Sequence, residues 1–296
     1  MKAEPQPPVI IIGMHRSGTT MVVEMLEQLG LFIGKRRERN QEAMLFLRLN
    51  DWILGQSGAT WDNPEPIRHL LSYDDLRARV TDYIRYFTAS PQVISYLGAW
   101  RYLRHRSLLH LPFDWGWKDP RSTFTLPVWL DLFPQARVLH VYRHGVDVAI
   151  SLRQRERAIF EAKRRRRSLH DILYTLRPGR ANFTSSARCS TLEGGFDLWE
   201  EHMAAAEAAR RLRPEAYLEL RYEELLADPA PNLVRAAQFC GLAAEQGSIE
   251  PLVAGIRGDR AYAFSADDEA VAFARSVAGR CASYGYGAHG AQQPSP

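Results

Sequence analysis

The stretch Val9–Thr20 (VIIIGMHRSGTT) constrains this chain more than any other. Val9–Gly13 is short, apolar and β-branched, the composition of a strand buried on both faces. A turn of Gly, Ser and Thr follows, and from Thr19 to Leu29 the residues Met21, Met25, Leu26 and Leu29 recur at helical spacing. The order is strand, loop, helix. Such a loop turns backbone N–H groups and the positive end of a helix dipole toward an anion. Four residues separate Gly13 from Gly18, which is the frame of a phosphate-binding loop. In the nucleoside-triphosphate version the second glycine is followed by Lys, for the β/γ-phosphates, and then by a hydroxyl residue for magnesium. Here Thr19 stands where that lysine belongs, and the cation comes earlier, at Arg16. A magnesium-triphosphate site is therefore disfavoured. An anion clamp of another shape is expected from Gly13, His15, Arg16, Ser17, Gly18, Thr19 and Thr20. An ordinary Gly/Ser/Thr connection is the alternative on the frame alone, and an arginine inside the loop argues against it.

The rest of the chain alternates in the same way. Trp115–Lys118, Arg137–Tyr142 and Tyr217–Leu220 read as further strands. Helical patterns cover Arg39–Gln56, Asp74–Thr88 (with Leu76, Val80, Tyr83, Ile84 and Phe87 inward), Leu126–Leu132, Val146–Arg155, Leu192–Leu212 and Leu233–Phe239. Alternation of this kind implies an α/β fold, one phosphate-loop domain with a mostly parallel central sheet flanked by helices. The expected domain spans residues 1–284, with 153–190 as a lid or acceptor-side insertion and 285–296 as a disordered tail.

Bulk properties narrow the class. A hydrophobic share of 46% supports a real core, and a net charge of +4 suits an anionic ligand without the concentrated patch that nucleic-acid binding needs. Cys189, Cys240 and Cys281 are dispersed and odd in number, so neither a metal site nor a disulfide framework is expected. The apolar run Val9–Ile12 is too short for a signal peptide or a membrane span. A cytoplasmic protein is expected. His15, His140 and His144 have no third ligand at useful spacing and read as core, loop or anion-contacting histidines. The basic run Lys163–Arg167 reads as a solvated face or mobile loop, with attraction of a sulfated or carboxylated glycan or of nucleic acid as the alternative. Trp52, Trp61, Trp100, Trp115, Trp117, Trp129 and Trp199 read as core and pocket walls.

A second cluster, Arg137–Leu152 (RVLHVYRHGVDVAISL), places Arg143 at a strand end and Ser151 eight residues on, in the following helix. A guanidinium fork and a hydroxyl so placed can share one phosphate. With GMHRSGTT, this arrangement resembles the sulfotransferases that use 3′-phosphoadenosine 5′-phosphosulfate (PAPS). The resemblance extends to Arg221–Pro229 (RYEELLADP) and to Trp117–Arg121 (WKDPR), so it spans residues 9–241. It implies that the first loop holds the 5′-phosphosulfate, that Arg143 and Ser151 hold the 3′-phosphate, that Tyr222 lies against the adenine, and that Lys118 faces the transferring sulfonate. Arg16 in place of the lysine of the cytosolic small-molecule branch points toward the bacterial, glycan-type or tyrosylprotein branches. That branch's C-terminal Arg-Lys-Gly contact is absent, and Arg257 or Arg260 is a candidate substitute.

The function so implied is metal-independent, in-line transfer of a sulfonate from PAPS to a hydroxyl of a glycan, lipid, small molecule or tyrosine, with PAP (adenosine 3′,5′-bisphosphate) as product. Arg16 and Lys118 supply positive charge, and Glu42 is the expected base, in the first turn of a helix capped by Asn40. A glutamate that merely complements the helix dipole is the bland alternative for Glu42, and His105 and His110 are reserve bases. Rival functions are a phosphate-loop nucleotide kinase or NTPase and an inactive PAP-binding protein.

Overall fold

The computed structural model describes residues 4–165 and 183–287. They gather into two compact units. The first comprises the residues through Arg143 together with Glu201–Ala261, and the second comprises His144–Glu200 together with the residues from Tyr262 onward.

The first unit is built on a parallel sheet of four strands: β1 (Val9–Ile12), β2 (Gly116–Lys118), β3 (Arg137–Tyr142) and β4 (Tyr217–Arg221), in the order β2-β1-β3-β4. The register sets Ile10 beside Trp117 and Val138, and Tyr142 beside Arg221. Alternate residues feed two cores. Ile10, Ile12, Trp117 and Val138 enter one, with Phe46 and Trp129; Val9, Ile11, Leu139, Val141 and Leu220 enter the other, with Val22, Leu26 and Leu233. Burial on both faces is why β1 reads as an unbroken apolar run, whereas β4 (YLELR) is only partly buried and carries Glu219.

The helices that matter below are α1 (Thr19–Gln28), α2 (Met44–Gly55), α3 (Asp74–Thr88), α4 (Ala99–His105), α5 (Ser122–Leu132), α6 (Gly145–Arg165), α7 (Leu192–Leu212) and α8 (Tyr222–Ala227). The α/β class with a parallel sheet is as the sequence implied.

Several local expectations need correction. Helix α2 begins at Met44, not Arg39, because Met44 N–H donates to the Arg36 carbonyl and Glu38 N–H to the Glu42 carbonyl, closing a small hairpin with Gln41 in the left-handed region. Leu76 and Tyr83 of α3 are exposed rather than inward. The buried stripe is Val80, Thr81, Ile84 and Thr88, whose threonine hydroxyls donate to the carbonyls of Arg77 and Arg85 and so enter the core satisfied. Trp100 is 86% exposed, so it is no core wall, whereas Trp115, Trp117, Trp129 and Trp199 are buried.

In the second unit, α6 runs on to Arg165, so the start of the expected insertion is helical. Residues 166–182 of that insertion, Arg166 and Arg167 of the basic run among them, lie outside the described residues, as does the expected tail from 288. Tyr286, placed in the expected tail, is buried with its ring 4.8 Å from that of His144. His144 also stacks on Phe264 at 4.7 Å, which makes it a core histidine of this unit. Arg280 ties the C-terminal helix Ala278–Ala282 to Glu193, Asp197 and Glu200.

Candidate active site

Each segment singled out in the sequence starts where a strand of the first unit ends. The Gly13–Thr20 loop leaves β1, Lys118 closes β2 ahead of Asp119–Arg121, Arg143 follows β3, and Tyr222 follows β4. The strands are parallel, so these ends share one edge of the sheet. The chain passes from β2, on one side of β1, to β3 on the other, and an open α/β sheet binds ligands at the crevice outside such a reversal.

The loop has the geometry of an anion nest. Gly13 (φ 134°) and Gly18 (φ 85°) take conformations that side chains resist, and a Cβ on Gly13 would lie 2.0 Å from the Val141 carbonyl oxygen. Arg16 also has positive φ (72°), uncommon for a residue with a side chain. Alternation of left- and right-handed residues points successive N–H groups to one side. Ser17 is fully buried, and among the described residues nothing hydrogen-bonds its Oγ. A buried hydroxyl left in that state costs about 1–3 kcal/mol. His15 meets the Trp61 ring edge-on at 5.2 Å.

Beside the loop lies a buried ion pair. Lys118 Nζ is 2.5 Å from Glu42 Oε1, and the two side chains are 2% and 5% exposed. The ammonium also donates to the Asn40 carbonyl, which accepts in addition from Thr20 Oγ1 at 3.2 Å. One backbone oxygen thus joins the start of α1, the end of β2 and the loop that carries Glu42. The loop is held from its other side by Arg37–Glu27 at 2.5 Å and by Gln41 to Glu24 at 3.1 Å. Asn40 acts through its carbonyl rather than as an N-cap, and Glu42 precedes the helix, whose N-cap is Ala43. Burial raises the Glu42 carboxyl above its usual 4.5, against the lowering by Lys118. A carboxylate raised in this way is a better proton acceptor near neutral pH.

The turn after Lys118 rests on a network that sequence reasoning missed. Asp119, fully buried, accepts from Asn50 Nδ2 at 2.9 Å and from the Arg121 N–H at 3.0 Å. The Asn50 amide also donates to Ser122 Oγ and accepts from Thr125 Oγ1 and Trp129 Nε1, and Trp117 Nε1 donates to Ser122 Oγ. Arg121 pairs with Asp51 at 2.7 Å. These bonds fix the end of β2 and with it the stem of Lys118. The signal was a polar Asn-Asp pair within the apolar pattern of α2.

Arg143 donates from Nη2 to the Arg260 carbonyl at 2.7 Å, and its guanidinium lies 4.9 Å from the Tyr222 ring centre. Arg260 therefore contributes to this corner through its backbone. The same tyrosine packs on the Gly13–Thr20 loop, where a Cβ on Gly18 would come within 2.4 Å of the ring. Loop, Arg143 and Tyr222 are thus brought together. Ser151 lies in the second turn of α6. Of the reserve bases, His105 ends α4 against Phe113, with its pKa lowered chiefly by burial, and His110 is exposed. Among the described residues no group of His, Cys, Asp and Glu is arranged to hold a metal.

The Sulfotransferase family model matches residues 7–246. The chain belongs to the sulfotransferase family. It is similar to an omega-hydroxy-beta-dihydromenaquinone-9 sulfotransferase, Stf3, of Mycobacterium bovis and of Mycobacterium tuberculosis, at 24% identity over 268 residues and 80% of this chain. It spans 63% of the length of those relatives. Among solved structures it is similar to the sulfotransferase domain of the Synechococcus PCC 7002 olefin synthase, with 21% identity, a TM-score of 0.44, and coverage of 87% of this chain and 80% of that one.

Proposed function

We propose that this sulfotransferase-family chain moves a sulfonate from PAPS to an acceptor hydroxyl, without a divalent metal. The observation that carries the reading is the buried Lys118–Glu42 pair, tied through the Asn40 carbonyl to the phosphate loop.

The residues fit PAPS. The loop amides, Arg16 and the Ser17 hydroxyl suit its 5′-phosphosulfate, and the guanidinium fork of Arg143 suits its 3′-phosphate. Ser151 remains a sequence-based assignment to that same phosphate, and Tyr222 to the adenine. When bound, PAPS supplies a sulfonate already attached to a phosphate leaving group. Glu42 takes the proton of the acceptor hydroxyl as that oxygen becomes a nucleophile. Lys118 holds Glu42 in place and offers positive charge where charge develops on the departing oxygen. A sulfonate carries less charge than a γ-phosphate, so fixed cations and amides suffice in this reading.

The acceptor class is open to an apolar alcohol, because the mycobacterial relatives are named for a hydroxylated menaquinone. We place the protein in the cytoplasm on its dispersed cysteines. Among the described residues no helix is long and apolar enough to cross a membrane.

The deciding experiment combines PAP binding, in EDTA and in magnesium, with transfer from sulfonate-labelled PAPS to a panel of alcohols, phenols, glycans and tyrosyl peptides. Metal-free PAP binding and label in one acceptor class are expected. Binding of ATP only with magnesium would restore the NTPase reading, and PAP binding without transfer to any acceptor would make the chain a PAP-binding protein.

A further inference from the structure

From Tyr83 to Phe113 the chain carries Arg85, Arg101, Arg104 and Arg106 and no Asp or Glu at all. This acid-free stretch includes α4, none of whose residues is buried. Tyr102 turns inward against the core, and Trp100 and Leu103, three residues apart on one helical face, turn outward at 86% and 56% exposure. Ile94, 41% exposed, adds to the apolar surface just before α4. Arg101 and Arg104 are exposed on the same helix. The neighbouring loop is held by Lys35 N–H to the Tyr96 carbonyl at 2.8 Å and Arg36 N–H to the Ser95 carbonyl at 3.1 Å. It brings the exposed Lys35, Arg36 and Arg39 against a single acid, Glu38, and it leads straight into Glu42.

We propose that this face docks on an anionic lipid bilayer. An exposed tryptophan and leucine flanked by arginines is the composition of a helix that lies in the headgroup region, with its rings and aliphatic groups submerged and its guanidinium groups on lipid phosphates. A second copy of this chain is disfavoured, since two-fold pairing would set arginines against arginines. A nucleic acid would use the tryptophan and the cations but gains little from Leu103 and Ile94. The docked face adjoins the loop that leads to Glu42, so an acceptor held in the bilayer would lie near the candidate site. That consequence rests on the proposed function, whereas the docking itself does not.

The test is sedimentation of the full chain with sucrose-loaded vesicles of phosphatidylcholine alone and with phosphatidylglycerol added. Binding only to the anionic vesicles, weakened by raised salt, is expected. Trp100→Ser/Leu103→Ser should cut binding at least about tenfold, and Arg104→Gln about fivefold, a typical loss for one basic residue near such a surface. Melting temperature and elution volume of these surface variants should match the parent. The inference is overturned if the parent ignores anionic vesicles, binds both kinds equally, or binds them undiminished in the double variant. It is also overturned if the double variant instead dissociates an oligomer, or loses binding to single-stranded RNA while no vesicle binding exists. None of these readouts uses PAP or turnover, so failure here leaves the proposed reaction standing.

Discussion

Lys118 Nζ and Glu42 Oε1 lie 2.5 Å apart with almost no solvent on either side chain. Isolated ion pairs are seldom buried for stability, because desolvating two charges costs several kcal/mol and a well-packed apolar pair does as well or better. The proposed function gives the pair a reason, because it needs a carboxylate of raised basicity and a fixed cation together.

Glu42→Gln should lower turnover by about 10²–10⁴-fold, the range for loss of a general base. It should also lower the melting temperature, because Lys118 keeps its charge but loses its counter-charge, and breaking half of a buried pair costs about 3–5 kcal/mol. Glu42→Gln/Lys118→Met should recover much of the melting temperature and none of the turnover. The parent's kcat/KM should rise with pH through a step above 4.5, the direction in which burial moves Glu42, and the step should vanish in Glu42→Gln. Near-normal turnover in Glu42→Gln would transfer the base to His105 or His110.

Arg143 makes a second, independent case. Arg143→Ala should weaken PAP far more than adenosine 5′-phosphosulfate, which lacks the 3′-phosphate. A truncated charge-assisted contact is worth on the order of 2–3 kcal/mol, a preference of roughly 30- to 150-fold by calorimetry. The guanidinium also donates to the Arg260 carbonyl and faces the Tyr222 ring, so Arg143→Lys, which keeps charge without the fork, should fall between. Equal losses for both ligands would show that Arg143 serves the fold or the 5′ end.

The strands were legible because a parallel strand covered on both faces has one reading: Arg137–Tyr142 is found at the residues expected of it. The backbone of the Gly13–Thr20 loop was legible because Gly13 and Gly18 sit where backbone geometry admits little else. Glu42 and Lys118 were each picked out from the sequence, but their pairing was not, since the contact joins positions far apart in sequence. Asn40 shows the limit most clearly. A side-chain rule made it a helix cap, and its carbonyl turned out to be the shared acceptor, a role that any residue type can fill. The Arg143–Arg260 bond is hidden for the same reason. Trp100 was misplaced because composition reveals that a residue is apolar, not which side of it is wet.

His140 yields a prediction about stability rather than catalysis. It sits on β3 with 1% exposure, and burial first, then the neighbouring His202, lower its pKa to about 3. In the unfolded chain an imidazole takes its proton near 6.5. Between those values the unfolded state binds a proton that the folded state refuses, so this group's contribution to stability is intact above pH 6.5 and is lost as the pH falls toward 3. From pH 7 to pH 5 the loss amounts to about 2 kcal/mol. The raised carboxyls of Glu42, Asp51 and Glu219 act in the opposite sense just above their usual range, so the parent's profile alone mixes the two. The difference between parent and His140→Leu isolates the histidine, because the other groups are common to both chains. Urea titrations at pH 7 and pH 5 should show the parent losing about 2 kcal/mol more than His140→Leu. Parallel losses would mean that the imidazole is protonated in the folded chain at pH 5, with Glu219, whose Oε1 lies 4.0 Å from its Nδ1, as the counter-charge.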